Sequence, residues 1–182
     1  MKEITIPESV VCIDEAAFWC CSNLETVKLP ENLRSIGKGA FGNCTRLLEI
    51  NIPQQITVIP SACFSGCTSL EQVKTTGTVH VIMDCAFQNC ENLSSFSLYW
   101  NDRLNAIFPY AFHGCKNLIF ETIDRNVFIG DYGDSSFDKC SVMVDKKAFE
   151  WDKLTIRTFK GTAGAKLAQK FGLKVEYVKD ER

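Results

Sequence analysis

One short phrase recurs along this chain: AFWCC at 17, AFGNC at 40, CFSGC at 63, AFQNC at 86, AFHGC at 111 and SFDKC at 136. Its phenylalanines, Phe18, Phe41, Phe64, Phe87, Phe112 and Phe137, stand 23, 23, 23, 25 and 25 residues apart. A fixed period of this length defines a solenoid. Each unit is too small to bury its apolar face alone, so units stack and share one continuous core. Other apolar positions keep the same clock. Five residues before each phenylalanine come Ile13, Ile36, Ile59, Ile82, Ile107 and Tyr132. Eight before it come Val10, Leu33, Ile56, Val79, Leu104 and Ile129, and six after it Leu24, Leu47, Leu70, Leu93, Leu118 and Met143.

After those leucines, Val27 and Leu29, or Ile50 and Ile52, alternate with polar residues as half-buried strands do. Pro30 and Pro53 close the first such strands, because proline cannot donate to a ladder. Between strands, phenylalanine and a cysteine three places on share a face of one helical or 3-10 turn. The residue before that cysteine is Asn43, Gly66, Asn89 or Gly114, types that tolerate left-handed backbone and end a short helix. The alanine before the phenylalanine is small where neighbouring coils approach. The phrase therefore reads as a corner, and its phenylalanines as core.

The stretch LPENLRSIGKGAFGNCTRLLEINIP resembles the BspA-like leucine-rich repeat, and the resemblance runs over roughly residues 4 to 143. Departures are Cys63 for alanine, Thr76 and Tyr99 for the strand-ending proline, and Glu121 at an apolar strand position. The implied fold is an α/β repeat: a right-handed leucine-rich-repeat solenoid with a parallel β-sheet face and short helical or 3-10 corners. The expected organisation is a solenoid of about six repeats of 23–25 residues over 1–153 and a C-terminal helix–strand cap over 154–182. The tail LTIRTFKGTAGAKLAQKFGLKVEYV is similar to the segment that closes such arrays. Thr162 is placed to N-cap a helix over Ala163–Phe171, with Gly172 as its stop and a strand over Lys174–Val178. Gly164, Leu167, Ala168 and Phe171 share one face of it, suited to covering the last coil. No comparable lid precedes Ile4 and Ile6, so end-to-end association or further upstream residues are expected at that edge.

Chemistry is sparse. Acidic and basic residues number 22 and 20 and are interspersed, a net charge of −2 that argues against electrostatic capture of nucleic acid. No apolar run reaches the ~20 residues of a membrane span, and MKEITIPESV lacks the apolar core of a signal peptide. Ten cysteines are present without a CxxC, and the histidines are His80 and His113 alone, so neither a metal nor a cofactor is expected. The repeated cysteines read as buried, reduced thiols. His113 is close in sequence to Cys115, but the repeat points that cysteine inward, so no catalytic residue is assigned. His80 is expected at the surface, as are Asp14, Glu15 and Asp84. GKGAFG at 37–42 belongs to the repeat and is an incomplete phosphate-loop pattern.

What is left is surface. The outward strand positions, Thr26 and Lys28, Glu49 and Asn51, Gln72 and Lys74, Ser95 and Ser97, are polar and of mixed charge. Tyr99-Trp100 falls where a strand should end, in a unit lengthened by two residues, and Phe120 is expected to emerge one unit later. These aromatics are either interface anchors or fillers of the longer coil. The candidate binding residues are Lys28, Asn51, Lys74, Tyr99, Trp100 and Phe120. The resemblance implies a bacterial protein at the cell surface or secreted, adhering to a protein ligand of the host matrix or of another cell. Alternatives are a structural spacer in a larger surface protein and an accessory domain of an enzyme.

Overall fold

A computed structural model describes residues 1–76, 79–96, 106–116, 118–121, 127–130, 142–145, 147, 155–158, 165, 168–169 and 172–177. Strands are numbered in chain order. The longer strand of each coil joins an eight-stranded parallel sheet: β1 (Glu3–Thr5), β3 (Thr26–Lys28), β5 (Glu49–Ile52), β7 (Gln72–Thr75), β9 (Ser95–Phe96), β11 (Ile119–Glu121), β14 (Thr155–Thr158) and β15 (Lys174–Tyr177), in that spatial order. Burial alternates as the sequence pattern requires. In β5, Ile50 and Ile52 are buried while Glu49 and Asn51 are exposed. Pro30 and Pro53 follow β3 and β5 and end them.

The isoleucines that stand five residues before phenylalanine form a second ladder that the sequence pattern does not announce. Two-residue strands β2 (Cys12–Ile13) and β4 (Ser35–Ile36) pair with each other. β6 (Val58–Ile59), β8 (Val81–Ile82) and β10 (Ala106–Ile107) pair in a further parallel sheet. These strands are too short for alternation to be visible in the sequence.

Between the two ladders, Phe18, Phe41, Phe64, Phe87 and Phe112 stack. Successive ring centroids lie 5.2, 5.5, 5.3 and 5.3 Å apart, with rings within 9° of parallel. That separation is in the range aromatic pairs favour, worth about 0.5–1.5 kcal/mol per pair beyond burial. The interior members are fully buried, together with Leu33, Leu47, Ile56, Leu70 and Leu93.

The corners are single turns and do not run on as helices. The N–H groups of Ala17, Trp19 and Cys21 bond back to Asp14, Ala16 and Phe18. The intervening N–H groups of Ala16, Phe18 and Cys20 leave the coil and donate to Lys38, Ala40 and Gly42 of the next, at 2.8–2.9 Å. A helix would keep all of them. Sending alternate donors across the coil boundary makes a third ladder, and it requires left-handed backbone twice in each corner. Asn43, Gly66, Asn89 and Gly114 adopt it as anticipated, with φ of +57, +73, +59 and +82°. Ala16, Gly39, Ala62, Cys85 and Tyr110, two residues before the phenylalanines, adopt it as well.

The sixth unit differs from the sequence register. Periodicity places Met143 with the leucines of the main sheet, but β13 (Val142–Asp145) pairs with β10, Ala106 against Met143 and Ile107 against Val144. Val144 rather than Tyr132 therefore continues the isoleucine column, and Ile129 lies in an added strand, β12 (Val127–Gly130), on the far side of β13. Five residues after Val144 the sequence reads Ala148-Phe149, the same spacing that separates Ile107 from Phe112. SFDKC is the closer match to the repeated phrase in sequence. Phe137, Cys140 and Phe149 lie outside the described residues.

Beyond it, β14 and β15 continue the main sheet. Ala165, Ala168 and Gln169 are helical, and Ala168 is fully buried. Gly172 has φ +63°, Leu173 N–H bonds Ala168 O at 2.9 Å, and Gly172 N–H bonds Gln169 O at 3.4 Å. This is the paired closure that ends a helix on a left-handed glycine, so the expected helix stop and the following strand are both present. Thr162, Gly164, Leu167 and Phe171 fall outside the described residues or have undescribed side chains. Among the described residues no helix is long and apolar enough to cross a membrane.

Candidate functional site: the exposed face of the sheet

Parallel register sets the outward side chains in ranks. Thr26 stands beside Glu49, Glu49 beside Gln72, and Asn51 beside Lys74. Thr26, Lys28, Glu49, Asn51 and Lys74 are exposed and Gln72 is half-buried. Lys74 Nζ reaches diagonally to Glu49 Oε2 at 3.0 Å. Lys2 and Arg46 flank Glu25 at 3.2 and 4.0 Å, and Lys116 meets Glu91 at 2.7 Å. Pairs this exposed are worth about 0–1 kcal/mol each. Of these, the Lys74–Glu49 pair lies on the sheet face itself and sets opposite charges side by side there.

Where β3 and β5 end, the face sinks into a hollow of about 290 Å³ lined by Lys28, Glu31, Asn51, Ile52, Pro53 and Thr76 among others. Thr76 replaces the strand-ending proline and adds a hydroxyl to a wall that already carries Lys28, Glu31, Glu49 and Asn51. Its N–H and Oγ1 both bond Ile52 O, at 3.1 and 3.3 Å, so the ladder extends one residue further. Lys28 and Asn51 thus line one site, and Lys74 adjoins Asn51 in register. Phe120, expected on the outer face, lies in β11 opposite Ile156, in the rank of the buried Ile50 and Val73 and one residue off the outward rank that passes through Gln72, Ser95 and Ile119; its side chain is outside the described residues. Tyr99 and Trp100 also lie outside them. Thr76 stood out in the sequence only as a departure from the strand-ending proline, and Glu31 lies beyond the alternating strand positions, so neither was selected.

Another exposed aromatic is Trp19, 45% accessible at the first corner. It lies flat over the next coil: a Cβ on Gly42 would come within 2.1 Å of its Cζ3, and one on Gly39 within 3.1 Å of its Cε3. At Gly37 a Cβ would collide with the backbone of Glu15 at 2.4 Å. The three glycines of GKGAFG are explained by coil packing. They need no phosphate.

The thiols are occupied structurally. Cys44 Sγ donates to Phe18 O at 3.2 Å, Cys67 to Phe41 O at 3.1 Å, Cys90 to Phe64 O at 3.1 Å and Cys115 to Phe87 O at 3.2 Å. Burial pushes Cys44 from an ordinary 9.0 to about 12, and raises Cys63, Cys67 and Cys90 strongly. A nucleophilic cysteine needs the opposite shift. All nine described cysteines are free. His113 packs its ring edge-on against Tyr110 at 5.7 Å, while Cys115 is buried with its thiol committed to a carbonyl. His80, expected at the surface, is half-buried, with Nε2 enclosed and without a hydrogen-bond partner among the described residues. Asp14, Glu15 and Asp84 are exposed, and Asp84 accepts from Ser61 Oγ at 2.6 Å. Among the described residues no three His, Cys, Asp or Glu side chains are grouped to hold a metal ion.

Stacked coils, one parallel sheet with a polar outer face and a phenylalanine spine define a leucine-rich-repeat solenoid. The BspA type leucine rich repeat region matches in six copies over residues 1–119 and 49–162, and the chain belongs to that family. A leucine-rich repeat protein of T. pallidum is similar in fold, with a TM-score of 0.65 and 24% identity over 98% of this chain and 86% of that one. A leucine-rich repeat protein of Eubacterium ventriosum shows a TM-score of 0.63 and 22% identity, covering 81% of this chain and 42% of that one. A leucine rich cell surface protein of Faecalibacterium prausnitzii shows a TM-score of 0.50 and 26% identity, covering 82% of this chain. The present chain spans only 32% of the length of that protein. No curated protein matches the sequence.

Proposed function

We propose that this chain is a non-enzymatic protein-recognition module that binds a protein ligand through the outer face of its eight-stranded sheet, at a cell surface or after secretion. The carrying observation is the hollow at Lys28 and Asn51 on a rigid face that is polar and balanced in charge. Such a face selects a partner by shape and by individual hydrogen bonds rather than by net field. Tyr99 and Trp100 are included in the surface as its aromatic anchors. The surface location is supported by the description of the F. prausnitzii relative as a cell surface protein, and the family supports protein binding. Adhesion to host matrix or to other cells is the form of binding proposed.

The test is binding of the purified chain to immobilised matrix proteins and to cultured cells, compared with a Lys28→Glu/Asn51→Arg variant. Saturable binding that the variant loses, with its circular dichroism unchanged, supports the reading. Undiminished binding by the variant removes the sheet face from it. A second reading, a structural spacer within a longer array, is favoured by the shares of 32% and 42% that this chain spans of two relatives. A face that binds nothing in either format is the outcome that reading expects.

A further inference from the structure

The hollow on the sheet face has a charge pattern of its own. β3 and β5 pair with Thr26 against Glu49, which sets Lys28, two residues on, beside Asn51. Asn51 in turn stands beside Lys74. Glu49 lies diagonal to both lysines, and among the described residues only Lys74 pairs with it on this face, at 3.0 Å. Lys28 is exposed and makes no ion pair or side-chain hydrogen bond among the described residues. The side chains of Asn51 and Glu31 are likewise exposed and without a partner among the described residues. All three line the one hollow of about 290 Å³. The Lys74–Glu49 pair cancels, so Lys28 and Glu31 are left as one unused charge of each sign.

Their placement keeps the two charges apart. Lys28 and Asn51 hold one rank on adjacent strands, about 4.8 Å from each other. A carboxylate set over that rank can accept from both, from the Lys28 ammonium at one oxygen and the Asn51 amide at the other. Glu31 follows Pro30, so its charge stands further along the strand direction. The floor is apolar, because Leu29, Ile52 and Pro53 are buried there. A ligand with a single charge meets one attractive and one repulsive group. A ligand that carries both charges in the right order meets two attractive ones. In an extended chain, side chains two residues apart point the same way and are separated by about 7 Å, which spans two ranks of the sheet.

We propose that the hollow receives an extended segment of a protein ligand in which an acidic and a basic residue stand two apart, the carboxylate held by Lys28 and Asn51 and the cation by Glu31. This rests on the reading of the sheet face as a protein-binding surface and adds to it the chemistry that is bound. A segment with two like charges is disfavoured, since one of them faces a group of its own sign.

NMR titration of the isotope-labelled full chain with three blocked pentapeptides tests this: SEGKS, SQGKS without the anion, and SEGQS without the cation. SEGKS is expected to shift the Asn51 side-chain amide and the backbone signals of Lys28 and Glu31. Its Kd should be about two to five times lower than that of either control, the scale of one exposed ion pair. Lys28→Gln should abolish the preference over SQGKS and keep the preference over SEGQS, and Glu31→Gln should do the converse. Signals from the other coils report that each variant stays folded. Equal affinity for the three peptides overturns the inference. So does an absence of shifts at the hollow, or a charge preference that survives both substitutions. The wider reading is tested separately by loss of matrix or cell binding in Lys28→Glu/Asn51→Arg. That loss together with equal peptide affinities keeps the sheet face as the binding surface and overturns the acid–base motif alone.

Discussion

At Cys67 the thiol donates to Phe41 O at 3.1 Å, and that carbonyl also accepts the N–H of Cys44 at 3.3 Å. One carbonyl thus serves its own coil and the next, using both lone pairs. Alanine would fill most of the space and leave the second acceptor site idle in the core. Cys67→Ala is accordingly expected to lower stability by about 1–2 kcal/mol in chemical denaturation, from a lost hydrogen bond and a small cavity. Cys12→Ala, at an exposed position, should change it by less than about 0.5 kcal/mol. Equal effects at the two positions would remove the thiol from the spine. Trp100 tests the recognition surface at the same scale: Trp100→Ala should weaken binding of a cognate protein by about 1 kcal/mol or more, the threshold of a hot spot, without loss of folding. If it unfolds the protein, Trp100 is core and the anchor assignment fails.

The corner is the element that carries the fold's specificity. Asn43 and Gly66, then Asn89 and Gly114, alternate because each asparagine lies over the glycine of the next coil. A Cβ on Gly66 would stand 2.1 Å from Asn43 Oδ1, at a φ of +73°. Gly66→Ala is therefore expected to cost about 1–3 kcal/mol. Introduced into Asn43→Ala, the same change should cost less, by a coupling of at least about 0.5 kcal/mol that a double-mutant cycle measures. Additive costs would mean that backbone conformation alone, and no asparagine contact, requires the glycine. Phenylalanine, leucine and isoleucine positions were legible in the sequence because burial repeats with the coil. So was the end of the C-terminal helix, because Gly172 is a local signal. The left-handed residues two places before each phenylalanine were not, since Ala16, Ala62, Cys85 and Tyr110 have side chains that advertise no such backbone. The two-residue strands were too short to show a period, and SFDKC matches the repeated phrase more closely than the Ala148-Phe149 stretch that the register of β13 brings into step. Of the candidate site, Lys28, Asn51 and Lys74 followed from strand alternation, while Glu31 and Thr76, which lie just beyond β3 and β7, join it because those strands flank β5.

For the whole molecule, the spine makes stability depend on alkaline pH. An unfolded thiol ionises near 9.0, but folded Cys44 holds its proton up to about 12, and Cys63, Cys67 and Cys90 are raised in the same direction. A raised folded-state value means that the unfolded chain loses protons first. The contribution is complete below pH 9 and declines as pH climbs from 9 toward about 12. Denaturation midpoints measured from pH 7 to 11 should fall above pH 9, and Cys44→Ala/Cys67→Ala should flatten that fall. A midpoint independent of pH over this range would show that the thiols are not buried.

The central claim is that the cysteine column is a reduced, hydrogen-bonded part of the core, with neither cross-links nor chemistry of its own. Thiol titration of protein kept free of reductant tests it most directly. In the native state the exposed Cys12 and Cys20 should react first, and the half-buried Cys21 and Cys85 more slowly. Cys44, Cys63, Cys67, Cys90 and Cys115 should stay protected. Adding denaturant alone should then bring the count to all ten cysteines of the chain. A denatured count well below ten would mean that disulfides join the coils, and rapid native labelling of the five buried positions would mean that the spine is open; either result contradicts the account.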